Sequence, residues 1–77
     1  MMTETAISDF ILAYLKEQVP EVDLRMTIRD LGVDSLELLE LVLSAEERFG
    51  IEIDADGIEP DMTLNELSKK ISQSPTA

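Results

Sequence analysis

The sequence predicts an all-α fold: a small four-helix bundle of three longer helices and one short helix, with a long first loop. Its 77 residues are enough for one small domain with one modest core. Hydrophobic residues make up 44% of the chain but include only two Phe and one Tyr, so aliphatic side chains must build the interior. Apolar residues recur at helical spacing, whereas strand-like alternation is confined to Ile51 and Ile53.

The first helix is predicted from about Thr5 to Glu17. Its apolar side chains fall on one helical face, namely Ile7, Phe10, Ile11, Tyr14 and Leu15. Pro20 prevents any continuation of this helix, because its ring and missing N–H do not fit a helix interior. Residues 19–33 then show no single period and are interpreted as a long ordered loop with a short helical turn near Thr27 to Leu31. Some of its apolar residues should attach it to the core, the candidates being Val22, Leu24, Met26, Ile28 and Leu31.

The second long helix is predicted to begin at Asp34 or Ser35 and to end near Phe49, just before Gly50. The following segment is broken by Gly57 and Pro60, so only one helical turn is expected, around Asp56 to Glu59.

The last helix opens with the capping box Thr63-Leu64-Asn65-Glu66 and is expected to bury Leu64, Leu67 and Ile71. Residues 72–77 lack apolar content and are expected to form a frayed tail. The whole chain, residues 1–77, is interpreted as a single domain.

Composition excludes several kinds of site. The chain has no Cys, His or Trp, which removes disulfides, Cys/His zinc sites and Ser-His-Asp catalysis. The formal net charge is -11, with ten acidic residues and one basic residue between positions 34 and 61. Such a charge disfavours nucleic acids and anionic membranes as partners and favours a basic protein surface. The N-terminal segment lacks a basic signal region and no apolar run approaches about 20 residues, so we expect a cytoplasmic protein without membrane insertion.

The second helix carries two apolar stripes. The first is an ordinary core stripe, made of Leu38, Leu41, Val42, Ala45 and Phe49. The second consists of Leu36, Leu39 and Leu43, which point away from the first and share their side of the helix with Glu40 and Glu47. These leucines could form a surface for a partner protein, since apolar contact and charge are combined there. Alternatively, residues 22–33 cover them, or they are isolated surface leucines.

Ser35 stands at the start of this helix and has two interpretations. Asp34 and Glu37 fit a reciprocal cap, which would leave Ser35 at the first helical position with its hydroxyl free. A phosphate ester on that hydroxyl would be favoured by the helix N-terminus, and Gly32 would leave backbone freedom and steric room beside it. In the other interpretation Ser35 itself caps the helix. Local pattern supports the two equally.

The block "DLGVDSLELLELVLSAEERFGIEI", Asp30 to Ile53, resembles the signature of the acyl carrier protein family. The resemblance implies that a phosphopantetheinyl transferase attaches 4'-phosphopantetheine from coenzyme A to Ser35, with Asp34 and Leu36 beside the cofactor. It also implies that the arm's thiol carries acyl groups as thioesters, so the chain is a carrier and not an enzyme. The carried chain can fold back between the helices in this family.

The resemblance further implies partners with basic docking patches: the transferase, and the acyl-loading and acyl-transferring enzymes of fatty acid, polyketide or specialised lipid biosynthesis. A monomer would dock on them through Leu36, Glu37, Leu39, Glu40, Leu43, Glu46 and Glu47. Arg48, where fatty-acid carriers often have an acid, and the segment from Val22 to Ile28 depart from the family pattern. These departures are compatible with a dedicated carrier of a specialised acyl chain.

Other functional classes remain open from sequence. An unmodified acidic helical module could bind a basic partner through the same stripe. "DADGIE", Asp54 to Glu59, is similar to the start of a calcium loop but lacks the twelve-residue spacing and its terminal glutamate, so no metal site is predicted. Catalysis by Glu46 and Glu47 is disfavoured, because adjacent helical side chains point about 100° apart.

Overall fold

Four α-helices and one short 3-10 helix follow one another in the computed structural model, which describes residues 3–77. The α-helices are α1 (Glu4–Leu15), α2 (Ile28–Leu31), α3 (Ser35–Phe49) and α4 (Leu64–Ser72), and the 3-10 helix is Ala55–Gly57. The predicted all-α bundle with three longer helices and one short helix is confirmed. Residues 1 and 2 of the predicted single domain lie outside the described part of the chain.

Side-chain caps determine where the helices begin. Thr3, Thr27, Asp34 and Thr63 are the N-caps of α1 to α4, and the last three belong to reciprocal capping boxes. Helices α2 and α3 end at Gly32 and Gly50, which adopt positive φ angles of 70° and 65°. The start and end predicted for the second long helix, now α3, and the capping box predicted for α4 are confirmed.

The core lies where α1 packs mainly against α4 and also contacts α3. Its buried hydrophobic residues are Ile7, Ile11, Leu15, Ile28, Leu41, Val42, Ala45, Ile51, Ile53, Leu64, Leu67 and Ile71. The predicted burial of three α4 residues is confirmed. Leu38 and Phe49 of the predicted core stripe are only partly buried. The ring of Phe10 meets that of Phe49 edge-on at 5.6 Å between centroids and joins α1 to α3.

The long first loop is attached to the start of α4. Thr27 and Thr63 form an antiparallel bridge, flanked by hydrogen bonds from Ile28 N to Met62 O (3.0 Å) and from Leu64 N to Met26 O (2.9 Å). Ile28 is buried, and three further loop residues pack on the core as predicted, namely Val22, Leu24 and Leu31. Arg29 forms an exposed ion pair with Asp61 at 2.9 Å. This pairing attaches the start of α2 to the start of α4.

The C-terminal tail differs from the expectation that it is frayed. Ser72 ends α4, and the residues after it pair with the segment that follows α3. Glu52 N donates to Pro75 O at 2.9 Å, Ala77 N donates to Gly50 O at 3.0 Å, and Ile51 forms an antiparallel bridge with Thr76. The side-chain composition of residues 72–77 does not indicate this pairing, because backbone groups form the hydrogen bonds and no apolar side chains are required.

The single turn expected around Asp56 to Glu59 begins slightly earlier, as the 3-10 helix Ala55–Gly57. Asp54 caps it by accepting a hydrogen bond from Asp56 N at 3.1 Å, which sets its first residue.

Candidate functional site

The start of α3 shows which side chain caps the helix. The Asp34 carboxylate accepts a hydrogen bond from Glu37 N at 2.8 Å, and the Glu37 carboxylate accepts one from Asp34 N at 3.4 Å. Ser35 occupies the first helical position and is exposed. The interpretation in which Ser35 itself caps α3 is therefore wrong, and its hydroxyl is left available.

The surroundings of the hydroxyl suit an anionic ester. Within residues 3–77, the Ser35 hydroxyl and the backbone N–H groups of Ser35 and Leu36 have no hydrogen-bond partner in the protein. Unpaired N–H groups at the start of a fifteen-residue helix carry a partial positive charge. A phosphate on the Ser35 oxygen would lie where that charge favours it.

Gly32 contributes through its backbone. Its φ of 70° is left-handed, a conformation that glycine adopts without the strain a side chain would introduce, and it ends α2 three residues before Ser35. A Cβ at this position would meet nothing within 4 Å. The expected backbone role is confirmed, and the room beside the hydroxyl for an attached group stays a prediction.

An apolar groove begins at Ser35. It has a volume of about 280 Å³ and is lined by Ser35, Leu38, Leu39, Val42, Ala55 and Ile58. One wall belongs to α3, and the other comes from the 3-10 helix and the residue after it. A flexible chain attached to Ser35 would have apolar side chains beside it along this groove. Sequence reasoning did not assign Ala55 and Ile58 to the site, since only the folded chain brings them to Ser35.

The second apolar stripe of α3 lies on the protein surface. Leu36, Leu39 and Leu43 are 62%, 46% and 53% exposed. The interpretation in which residues 22–33 cover these leucines is wrong. Three large apolar side chains along one face of a helix are a candidate contact surface for another protein.

The acidic residues predicted beside this stripe divide into two pairs. Glu40 and Glu47 are exposed and, within residues 3–77, form no hydrogen bond or ion pair through their carboxylates. Glu37 and Glu46 are partly buried, and each carboxylate accepts a backbone hydrogen bond: Glu37 from Asp34 N and Glu46 from Ile53 N. The two exposed acids are thus available for charge contacts, whereas the other two support the local structure.

Arg48 adds a positive charge at the C-terminal end of the same helix. It is exposed, and its guanidinium lies 5.8 Å from the centroid of the Phe49 ring. The outer surface of α3 therefore changes from acidic and apolar near Ser35 to mixed charge at its end.

The segment considered for calcium has a different structure. Asp54 uses its carboxylate to cap the 3-10 helix. Among residues 3–77, no three acidic, histidine or cysteine side chains are grouped so that they could hold a metal ion.

Comparison with known proteins identifies the family of the chain. The family model described as "Phosphopantetheine attachment site" matches residues 6–71. The chain belongs to the acyl carrier protein family. It is 44% identical over 57 residues to an acyl carrier protein of Desulforapulum autotrophicum, covering 74% of this chain and 70% of that protein. It is 46% identical over 57 residues to an acyl carrier protein of Nitratidesulfovibrio vulgaris, covering 73% of this chain and 75% of that one.

Family membership gives the cofactor and the kind of activity. Acyl carrier proteins bear 4'-phosphopantetheine and carry acyl groups without catalysing their reactions, so this chain is a carrier and not an enzyme. The family interacts with phosphopantetheinyl transferases and with biosynthetic enzymes. No solved structure matches the chain significantly. In the described part of this acyl carrier protein, no helix has the length and apolar content needed to cross a membrane.

Proposed function

We propose that this protein carries acyl groups as thioesters on a 4'-phosphopantetheine arm attached to the hydroxyl of Ser35. The observation that supports this most directly is the free, exposed Ser35 hydroxyl at the first position of α3, with the apolar groove beginning beside it. The arm supplies the thiol that holds the acyl group, which a chain without cysteine does not have.

Attachment requires Ser35 as a nucleophile toward coenzyme A. Its oxygen forms a bond to the phosphorus next to pantetheine, the bond between the two phosphates of coenzyme A breaks, and adenosine 3',5'-bisphosphate leaves. The hydroxyl proton passes to a base of the transferase, since this chain has no histidine. Asp34 caps α3 and so holds Ser35 at the helix start, and the Leu36 N–H lies next in the helix, where it favours the anionic ester.

Docking on partner enzymes is assigned to the outer face of α3. Leu36, Leu39 and Leu43 supply apolar contact, and the exposed Glu40 and Glu47 attract basic side chains of the partner. Glu37 and Glu46 are on this helix as well, but their carboxylates are engaged with the backbone. Charge contacts from a partner should therefore depend mainly on Glu40 and Glu47.

We infer that the cognate enzymes belong to fatty acid, polyketide or specialised lipid biosynthesis in the cytoplasm, and that the carrier acts as a monomer. Arg48 supports a dedicated carrier, because a partner of this protein must accept a positive charge beside the acidic residues of α3. An enzyme whose docking patch is uniformly basic would be repelled at that position.

The test is the intact mass of the protein after incubation with coenzyme A and a broad-specificity phosphopantetheinyl transferase. We expect the wild type to gain one phosphopantetheine and Ser35→Ala to gain none. Because Asp34 caps α3, Ser35→Ala should keep the helix content and the melting temperature of the wild type, which serves as the control for folding.

If a folded wild type gained no mass with several transferases, the carrier proposal would be wrong. An unmodified acidic module that binds a basic partner through Leu36, Leu39 and Leu43 would then explain the exposed stripe. Modification of Ser35→Ala to the same extent as wild type would instead move the attachment point to another residue.

A further inference from the structure

Glu46 and Glu47 are neighbours on α3 but have different surroundings. Glu47 is exposed, whereas Glu46 is partly buried and accepts a hydrogen bond from Ile53 N at 2.8 Å through its Oε2. The backbone carbonyl of Glu46 also accepts from Gly50 N at 2.9 Å and from Ile51 N at 3.3 Å. Residue 46 is thus the point at which α3 is joined to the segment that follows it.

That segment forms one wall of the groove beside Ser35. Ile53 is followed by Asp54, the N-cap of the 3-10 helix, and Ala55 and Ile58 line the groove opposite α3. Within residues 3–77, every hydrogen bond from residues 50–58 to α3 has its acceptor on Glu46. The bond to Ile53 is the one nearest the groove wall, because the two bonds of the Glu46 carbonyl reach only Gly50 and Ile51.

The environment of Ile53 makes this bond hard to replace with water. Ile53 is buried, with 7% of its surface exposed, and its hydrogen bond to Glu46 is partly buried. A backbone N–H in such a place that loses its acceptor is left unsatisfied, which favours movement of the segment toward solvent.

We propose that Glu46 is a positioning residue. Its carboxylate oxygen, acting as a hydrogen-bond acceptor and not as a docking charge, holds residues 53–58 against α3 and thereby sets the width of the groove beside Ser35. The proposal rests on the proposed function only in assigning that groove to the acyl-bearing arm. The effect of Glu46 on the groove wall is expected in the unmodified protein and does not require the arm.

Two substitutions separate the acceptor from the charge. Glu46→Gln removes the charge but keeps a side chain of the same length with an oxygen that can accept from Ile53 N. Glu46→Asp keeps the charge, but its side chain is one methylene too short to reach Ile53 N. Glu47→Gln and Glu47→Asp make the same changes at the exposed neighbour and serve as matched controls. All four are conservative, which keeps the fold available for measurement.

The measurement is amide hydrogen exchange by NMR on the full unmodified chain. We expect Glu46→Asp to speed exchange at the Ile53 amide by about tenfold, in line with the loss of one partly buried hydrogen bond, and to speed exchange across residues 54–58. Glu46→Gln should speed exchange by only about threefold, because a neutral amide oxygen still accepts this bond but binds the N–H more weakly than a carboxylate does. Both Glu47 variants should match wild type. The methyl chemical shifts of Ile58 and Val42, which both line the groove, should change in Glu46→Asp alone.

The proposal is overturned if Glu46→Asp leaves the Ile53 amide as protected as in wild type. It is also overturned if Glu46→Gln loosens the segment as much as Glu46→Asp, because the charge would then be what matters. Exchange is measured without the arm, so a wild type that fails to take up phosphopantetheine contradicts the proposed function alone.

Discussion

Ser35 and Asp34 divide two tasks that a single serine could have combined. The Asp34 carboxylate satisfies the Glu37 N–H at 2.8 Å, so the hydroxyl of Ser35 has no structural role at the start of α3. A serine that capped the helix would lose its cap on modification, whereas here an ester can form with no loss of helix stability. The adjacent acid would therefore keep α3 capped after the proposed attachment at Ser35.

This division predicts how the stability responds to changes at Asp34. Asp34→Ala removes the acceptor for Glu37 N and should lower the free energy of unfolding by about 1 kcal/mol. Asp34→Asn keeps a side-chain oxygen at the same place and should lose only a few tenths of a kcal/mol. Urea denaturation followed by circular dichroism at 222 nm checks both values. An Asp34→Ala protein as stable as wild type would show that Ser35 or water can replace the cap.

Glu46 and Glu47 show how residues of one type on one helix can differ in their roles. Both are acids beside the exposed leucines, and the sequence pattern alone assigns both to docking. Only the position of Ile53 N, seven residues from Glu46, distinguishes them. No local pattern could have indicated which carboxylate would be engaged, because the acceptor and the donor meet only after the chain has turned at Gly50.

At the scale of an element, α3 has two apolar faces with different tasks. Leu41, Val42 and Ala45 face the core and are buried, whereas Leu36, Leu39 and Leu43 face solvent. Three exposed leucines along one face of a helix form an apolar patch, which supports the proposed docking surface. The helix therefore joins the core to the proposed docking surface, with Ser35 at its start.

A substitution on the core face of α3 should lower the stability and leave binding to partners unchanged. A substitution on the solvent face should do the reverse. Leu41→Ala, at a position only 2% exposed, should lower the free energy of unfolding by about 2–5 kcal/mol. Leu43→Ala, at a position 53% exposed, should change it by less than about 0.5 kcal/mol. Chemical denaturation measures both.

The same pair tests the docking surface. The rate at which a phosphopantetheinyl transferase modifies each folded protein, measured at subsaturating carrier concentration, should fall for Leu43→Ala and stay near wild type for folded Leu41→Ala. Equal rates for Leu43→Ala and wild type with this transferase and with an acyl-transferring enzyme would contradict the assignment of Leu43 to docking.

At the scale of the whole molecule, the charge is concentrated around the site. Ten acidic residues and one basic residue lie between positions 34 and 61 of a chain with net charge -11. The two ion pairs within residues 3–77, Arg25 with Asp23 and Arg29 with Asp61, are both on the surface and involve only one of those ten acids. Repulsion among the remaining carboxylates opposes the folded state.

Added salt should therefore stabilise the protein at neutral pH. Screening becomes effective as the Debye length falls from about 30 Å at 0.01 M to about 10 Å at 0.1 M salt. The melting temperature should rise over that range, and each gain of about 1 kcal/mol would appear as about 4–8 °C. Differential scanning calorimetry measures the effect. A melting temperature that does not depend on salt would mean that the acids are too far apart to repel one another.

Much of the fold followed from local pattern. The helical spacing of apolar residues predicted α1, α3 and α4, and the pairs Asp34 with Glu37 and Thr63 with Glu66 predicted where two of them begin. These features could be predicted because helical period and capping act between residues only three or four positions apart. The same locality explains why the sequence places Ser35 at the start of α3 and makes it the candidate attachment point.

Tertiary structure alone decided the features that depend on residues far apart in the chain. It paired the C-terminal tail with residues 50–52, engaged Glu46 with Ile53, and brought Ala55 and Ile58 to the groove at Ser35. The tail and Glu46 contacts use backbone donors, which every residue other than proline possesses, so side-chain pattern does not distinguish them. The sequence by itself thus determined the helices and the place of Ser35 among them, and chain packing determined which groups surround that serine.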